Sequence, residues 1–239
     1  MDEIVVTNLS KSYEHPVFKP LSFAVEKGEM VAIIGASGSG KTTLIECMLG
    51  ITTGDSGNVS IKGQLMPNIA ALSDIGYMAQ SDALYDSLTA RENLKFFGSM
   101  YGKVTSERIE EVSSITLLTA HLDKRVEKFS GGMKRRLSLA ICLLHQPDIL
   151  ILDEPTTGLD PLLIEQIWHT FHTLQSSGTT LLITTHNMAE ADRADKLLLL
   201  FDHEMLAYGT KQTLYQHYGV NSIQDIFIKE ARNENNSDQ

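Results

Sequence analysis

Eight residues constrain this chain more than any others: Gly35-Ala36-Ser37-Gly38-Ser39-Gly40-Lys41-Thr42, followed by Thr43. They fit G-x-x-x-x-G-K-[ST], a loop whose backbone cradles phosphate groups. Before the loop, residues 30–34 are apolar and rich in β-branched side chains, as in a buried strand. After it, residues 43–49 read as a helix stopped at Gly50. Strand, glycine-rich turn and helix are the context the motif requires. The glycines let several N–H groups point inward as a nest for phosphate oxygens. The helix start adds its free N–H groups and the positive end of its dipole. Lys41 can then reach the outer phosphates, and the Thr42 hydroxyl can ligate Mg²⁺.

At 239 residues and 42% hydrophobic content, the chain can bury one large core, with room for an inserted subdomain. A net charge of −10 argues against nonspecific nucleic-acid binding, which relies on a basic surface. The two cysteines, Cys47 and Cys142, lie in apolar helical patterns and read as core thiols of a reducing compartment. The N-terminal residues lack the basic start and apolar run of a signal peptide. Aliphatic runs such as residues 197–200 fall far short of the ~20 residues that span a bilayer. The expectation is a soluble, cytoplasmic chain, with any membrane span supplied by another polypeptide.

The opening third reads as β-rich. Residues 4–6 suggest one strand, the alternation of Leu21, Phe23 and Val25 a second, and Val59 with Ile61 a third. Tyr13 falls in the loop between the first two, where an aromatic taken alone is a packing residue. Residues 75–79 suggest a strand ending at Gln80. The pattern then turns helical: Thr89 and Glu92 form a capping box, and Leu94, Phe97 and Tyr101 follow at helical spacing. A helical insertion is expected over about 82–145.

Near its end stand Ser130, Gly131 and Gly132, then basic residues and the apolar run 137–144. The serine and glycines at a helix start are either a second anion site or a plain N-cap, and the residues alone do not choose. Residues 149–152 form an apolar strand running into Asp153-Glu154, the Walker B arrangement. Asp153 can face a metal while Glu154 contacts an attacking water. A turn over residues 156–161 precedes a helix at about 161–175 that carries Trp168. A strand at 180–184 ends in Thr185-His186, and strand ends line the ligand crevice of open α/β sheets, which singles out His186. Residues 196–202 and 205–208 suggest a hairpin, Ser222 and Asp225 a short capped helix, and the polar tail over 232–239 disorder.

Taken together, the phosphate loop, Gln80, Ser130-Gly131-Gly132, the Ile-Leu-Ile-Leu-Asp-Glu-Pro run, Gly158-Leu159-Asp160 and His186 resemble the ATP-binding-cassette (ABC) family over roughly residues 3–231. The fold this implies is α/β: a P-loop NTPase core with an N-terminal antiparallel β-subdomain and an inserted α-helical subdomain. One domain would cover residues 1–231, with the core and β-subdomain at 1–81 and 146–231. The resemblance implies an ATPase using ATP and Mg²⁺. Tyr13 matches the aromatic that stacks on adenine, and residues 35–43 hold the phosphates, with Lys41 also catalytic. Thr42, Gln80 and Asp153 match the metal-site residues, Glu154 the general base and His186 the switch histidine. Ser130 to Gly132 match the signature that closes over ATP bound to a second copy, and Asp160 the turn residue crossing that interface. Spacing alone leaves open whether Ser130 serves its own nucleotide.

The partners implied are a second ATPase copy, the same or different, and an integral membrane permease, with no nucleic acid. The location implied is the cytoplasmic face of the cell membrane. Residues 82–94, Gly158 to Pro161 and Ser222 to Phe227 resemble the exporter group acting on drugs, lipids or antibiotics. Ala79 departs from that pattern, where a proline commonly stands, as does Ala36-Ser37 in place of Pro-Asn. The competing expectation is a soluble cassette protein of translation or DNA repair, disfavoured by the single cassette, the acidic charge and the lack of a long coiled coil.

Overall fold

In this computed structural model residues 2–102 and 104–237 are described. The chain forms two compact units, one from Met1–Pro67 with Leu182–Gln239, the other from Asn68–Leu181.

The first unit opens with β1 (Asp2–Ser12), β2 (Pro16–Glu26), β3 (Met30–Ile34), α1 (Lys41–Leu49), β4 (Ser56–Ile61) and β5 (Gln64–Leu65). Strands β2-β1-β4-β5 make an antiparallel sheet, with Val6 opposite both Phe23 and Val59. One face is apolar and buried: Ile4, Val6, Leu21, Phe23, Val25, Val59 and Ile61 are each at most 5% exposed. Burying side chains of this size contributes roughly 1.5–3 kcal/mol each. Both β1 and β2 run to 11 residues, well past the alternating apolar stretch. Bulges at several register shifts let their polar ends keep pairing.

After Pro67 come α2 (Ile69–Leu72), β6 (Ile75–Met78), α3 (Ala90–Gly98), α4 (Ser106–Ile115), α5 (Gly131–Leu143), β7 (Ile149–Asp153) and α6 (Pro161–Ser176). Strand β8 (Thr180–Thr185) begins in this second unit and ends in the first. The second unit is wider than the expected helical stretch of 82–145, because parallel β6 and β7 belong to it. Gly76 stands opposite Leu150 in that pair. A Cβ on Gly76 would lie 2.6 Å from the Cys142 carbonyl, so glycine lets α5 sit close on β6. The capping box at α3 is present in full: Glu92 N–H donates to Thr89 Oγ1 at 3.2 Å and Thr89 N–H to Glu92 Oε2 at 2.8 Å. In α6, Trp168 and Phe171 are fully buried with ring centroids 5.6 Å apart.

Returning to the first unit, the chain adds α7 (Met188–Ala191), β9 (Lys196–Phe201), β10 (Glu204–Thr210), α8 (Lys211–Tyr218) and α9 (Ile223–Ser237). Here the strand order is β10-β9-β3-β8, with β3 parallel to β9 and β10 its antiparallel hairpin partner. Every residue of β3 is buried, as its unbroken apolar run requires. Helix α8 is unannounced by periodicity, since Leu214 is its one buried residue. Helix α9 reaches Ser237, so it enters the tail expected to be disordered. It carries no proline or glycine to stop it. Residues 238–239 of that tail lie outside the described residues. No helix among the described residues is long and apolar enough to cross a membrane.

Candidate functional site

The phosphate loop leaves the buried end of β3 and enters α1 through three conformationally demanding glycines. Gly38 and Gly40 adopt φ of 82° and 93°, where an L side chain is strained. A Cβ on Gly35 would lie 2.6 Å from the Leu200 carbonyl, and one on Gly40 would lie 2.9 Å from the Val17 carbonyl. Gly40 occupies the N-cap of α1 and has no side chain with which to cap it. The first-turn N–H groups therefore face the loop with the positive end of the helix dipole. Lys41 is 5% exposed, and its ammonium donates to Gly35 O at 2.8 Å and Ala36 O at 2.9 Å. That folds the lysine into the loop it belongs to. Ser39 N–H donates to Ala36 O at 3.2 Å, closing the turn, while Ser37 is exposed and Thr42 and Thr43 are half-buried.

Two further expected residues lie in the same unit. Tyr13 is 67% exposed in the loop between β1 and β2, four residues before the Val17 that packs on Gly40. Its ring lies 5.0 Å from the Lys11 ammonium, which an Asp55 carboxylate holds at 3.1 Å. A ring this exposed is not a core residue, and its face is open to solvent beside a cation. His186 is exposed directly after β8, the neighbour of β3.

The second unit gathers the remaining residues. Strand β7 is buried throughout and ends in Asp153, which has no solvent exposure. Glu154 follows with φ of 49°, a left-handed conformation that costs a non-glycine residue of order 1–3 kcal/mol. Thr157 Oγ1 donates to Glu154 Oε2 at 3.1 Å. Gln80 is exposed just beyond β6. Ser130 caps α5, its Oγ accepting from Met133 N–H at 3.3 Å, and Asp160 caps α6, its Oδ1 accepting from Leu163 N–H at 3.0 Å. The two caps are neighbours: a Cβ on Gly132 would lie 3.0 Å from Leu159 Cδ2, and Gly131 stands in open space.

Sequence reasoning passed over two residues here. Arg135 on α5 is 5% exposed, and its guanidinium bonds the carbonyls of Ala79, Gln80, Asp153 and Glu154. Asn93 is fully buried, accepting from Tyr85 N–H at 2.9 Å and donating to Tyr85 O at 3.1 Å. Arg135 stands between Lys134 and Arg136, ahead of the apolar run, so nothing in the sequence set it apart from its basic neighbours.

Thr42 in the first unit offers a hydroxyl oxygen, and Gln80 and Asp153 in the second an amide and a carboxylate oxygen, each a hard donor of the kind Mg²⁺ takes. Among the described residues no group of three or more His, Cys, Asp or Glu could hold a metal by itself. Mg²⁺ does not need such a cluster, since it is usually held by one or two protein groups together with substrate phosphates.

A buried strand feeding a glycine-rich loop and helix, within an α/β fold carrying helical and antiparallel additions, defines a P-loop NTPase. Comparison with known proteins is more specific. The model of the family described as ABC transporter matches residues 18–157. The chain is 38% identical over 228 residues to the linearmycin resistance ATP-binding protein LnrL of Bacillus subtilis, covering 92% of this chain and 73% of that protein. It is 42% identical over 206 residues to Nod factor export ATP-binding protein I of Sinorhizobium fredii, covering 84% of this chain and 60% of that longer protein. A solved ATP-binding subunit of an ABC transporter superposes with a TM-score of 0.86 at 28% identity, over 95% of this chain and 98% of the other. A dimeric ATP-binding cassette in a post-hydrolysis state, bound to ADP and Pi, gives 0.80 at 25% identity, over 87% and 98%. The chain belongs to the ABC transporter family and is its ATPase domain.

Proposed function

We propose that this chain is the ATP-hydrolysing subunit of a membrane exporter, working as a nucleotide-sandwich dimer beneath a separate permease. The observation that carries the reading is the phosphate loop itself, with Lys41 folded among its carbonyls and Gly40 leading into the N-terminus of α1. The names of the two relatives, one of resistance and one of export, support the direction. The dimeric cassette holding ADP and Pi supports the pairing and the reaction.

In this reading residues 35–43 bind the triphosphate of ATP and Tyr13 stacks on its base. Bound Mg²⁺, held by Thr42, Gln80 and Asp153, would offset phosphate charge. Glu154 accepts the proton of the attacking water, and His186 holds that water and the outer phosphate in line. Phosphoryl transfer needs mainly positioning and charge stabilisation, which these groups supply without covalent chemistry. Ser130, Gly131 and Gly132 of one copy close over ATP held by the other, with Asp160 beside them. Loss of the outer phosphate removes those contacts and lets the copies part.

The permease would meet the second unit near Tyr85 and Phe96. These rings are 46% and 40% exposed and pack edge-on at 4.7 Å, an apolar patch beside the loop that follows Gln80. The chain then sits at the cytoplasmic face of the membrane. Purification of the tagged chain from detergent-solubilised membranes tests this: an integral membrane protein should co-purify and stimulate ATP hydrolysis. Recovery of the chain without any such protein, or bound to ribosomes or DNA, would overturn the exporter reading.

A further inference from the structure

The Arg135 guanidinium does not make the carboxylate fork expected of a buried arginine. Its Nη2 donates to the carbonyls of Asp153 and, at 2.8 Å, Glu154. These carbonyls belong to the two peptide planes on either side of the Glu154 Cα, so together they fix both backbone angles of that residue. Its Nη1 donates at 2.8 Å to Ala79 O and at 3.0 Å to Gln80 O, the two planes on either side of the Gln80 Cα. The nearest carboxylate, Asp82 Oδ1, stands 3.4 Å away and accepts a shorter bond of 2.6 Å from Ser138 Oγ. Nε is buried with no hydrogen-bond partner. A charge 6% exposed is thus held chiefly by four backbone carbonyls, an arrangement only a planar, forked donor can satisfy.

Glu154 needs such a hold. It stands in the left-handed region at φ 49°, and it precedes Pro155, whose ring disfavours helical conformations in the residue before it. A conformation opposed by two local preferences persists where surrounding bonds over-determine it. Arg135 also lies on the helix that Ser130 caps, five residues along, or on the order of 7 Å of helix.

We infer that Arg135 is a positioning residue for ATP hydrolysis: its one guanidinium aims the Glu154 carboxylate and couples that aim to the backbone at Gln80 and to the Ser130 end of α5. The inference rests on Glu154 being the general base. The wild-type chain, Arg135→Lys, Glu154→Gln and the double variant test it, by steady-state hydrolysis and by binding of a fluorescent ATP analogue. A lysine keeps the charge and the helix but reaches one or two carbonyls instead of four. The expected result is a fall in kcat of about 10- to 100-fold with KM and analogue affinity within about 2-fold, because misplacing a catalytic group by about 1 Å costs that much. In the Glu154→Gln background, Arg135→Lys should cost nothing further. If Arg135→Lys does not fold, Asp82→Asn, which loosens the guanidinium from a half-exposed position, should give the same kcat-without-KM change at smaller size. An Arg135→Lys or folded Asp82→Asn protein with unchanged kcat overturns the positioning role alone. Losses that multiply in the double variant overturn its action through Glu154. A Glu154→Gln variant that turns over normally removes the base assignment, and this inference with it.

Discussion

Gly40→Ala measures what holds the phosphate loop in shape. At φ of 93° a Cβ is strained by left-handed backbone geometry, which costs about 1–2 kcal/mol. The same Cβ would lie 2.9 Å from the Val17 carbonyl and 3.0 Å from Val17 Cγ1, so β2 must move, at about 1–3 kcal/mol for overpacking. The expected total is about 3 kcal/mol, or about 9 °C in Tm for a chain of 239 residues. Gly38→Ala is the control: its φ is 82° but nothing lies within 4 Å of its Cβ, leaving the backbone cost of about 1–2 kcal/mol. Differential scanning calorimetry of the two variants and the wild type gives the comparison, with affinity for a labelled ATP analogue as the second reading. Gly40→Ala should melt several degrees below Gly38→Ala and bind the analogue more weakly. If the two melt together, the contact with Val17 does not shape the loop and the reasoning fails.

Four further outcomes are expected. Glu154→Gln keeps side-chain size and an oxygen for the Thr157 hydroxyl at 3.1 Å, so it should fold and bind ATP while kcat falls about 10²–10⁴-fold; normal turnover would take Glu154 out of the base role. Lys41→Ala should weaken ATP binding, whereas His186→Ala should lower turnover with binding retained, and an isotherm beside a rate curve separates the two. Both thiols should resist a chromogenic disulfide reagent in the native chain at pH 8 and react once unfolded. Burial raises the Cys47 thiol and pushes Cys142 up to about 12, and rapid native labelling would contradict this. Burial also lowers His145, against the opposing bond to Ile75 O and beside Arg108 and Asp74. The unfolded chain then binds this proton more readily, so the stability at stake is intact above the ordinary imidazole value of about 6.5 and is lost as pH falls below it. In His145→Gln, urea unfolding should show a shallower loss of stability between about pH 6.5 and 5, and an unchanged slope would refute the assignment.

Local features of the sequence mapped onto the structure well. The strand, loop and helix around Lys41, the Thr89–Glu92 box and the helix start at Ser130 are each written in a few adjacent residues. Tyr13 shows how a local reading goes astray: an aromatic in a loop was read as packing, yet its ring is mostly exposed beside Lys11. What adjacency cannot encode was missed. Arg135 bonds partners 18, 19, 55 and 56 positions away, so its role exists only once the second unit is assembled. The left-handed Glu154 had no glycine to announce it. Strands β1 and β2 outran their apolar alternation because bulged pairing carried them on, and α8 hid behind a single buried leucine.

The central claim is that two copies of this chain close on ATP and part on its hydrolysis. Sedimentation velocity of Glu154→Gln with Mg²⁺, with and without ATP, tests it most directly. The 26.4 kDa chain should sediment as a monomer without nucleotide and as a dimer with ATP, and Lys41→Ala in the same background should abolish the shift. A Glu154→Gln protein that binds ATP yet stays monomeric, or one that dimerises equally without it, would contradict the account.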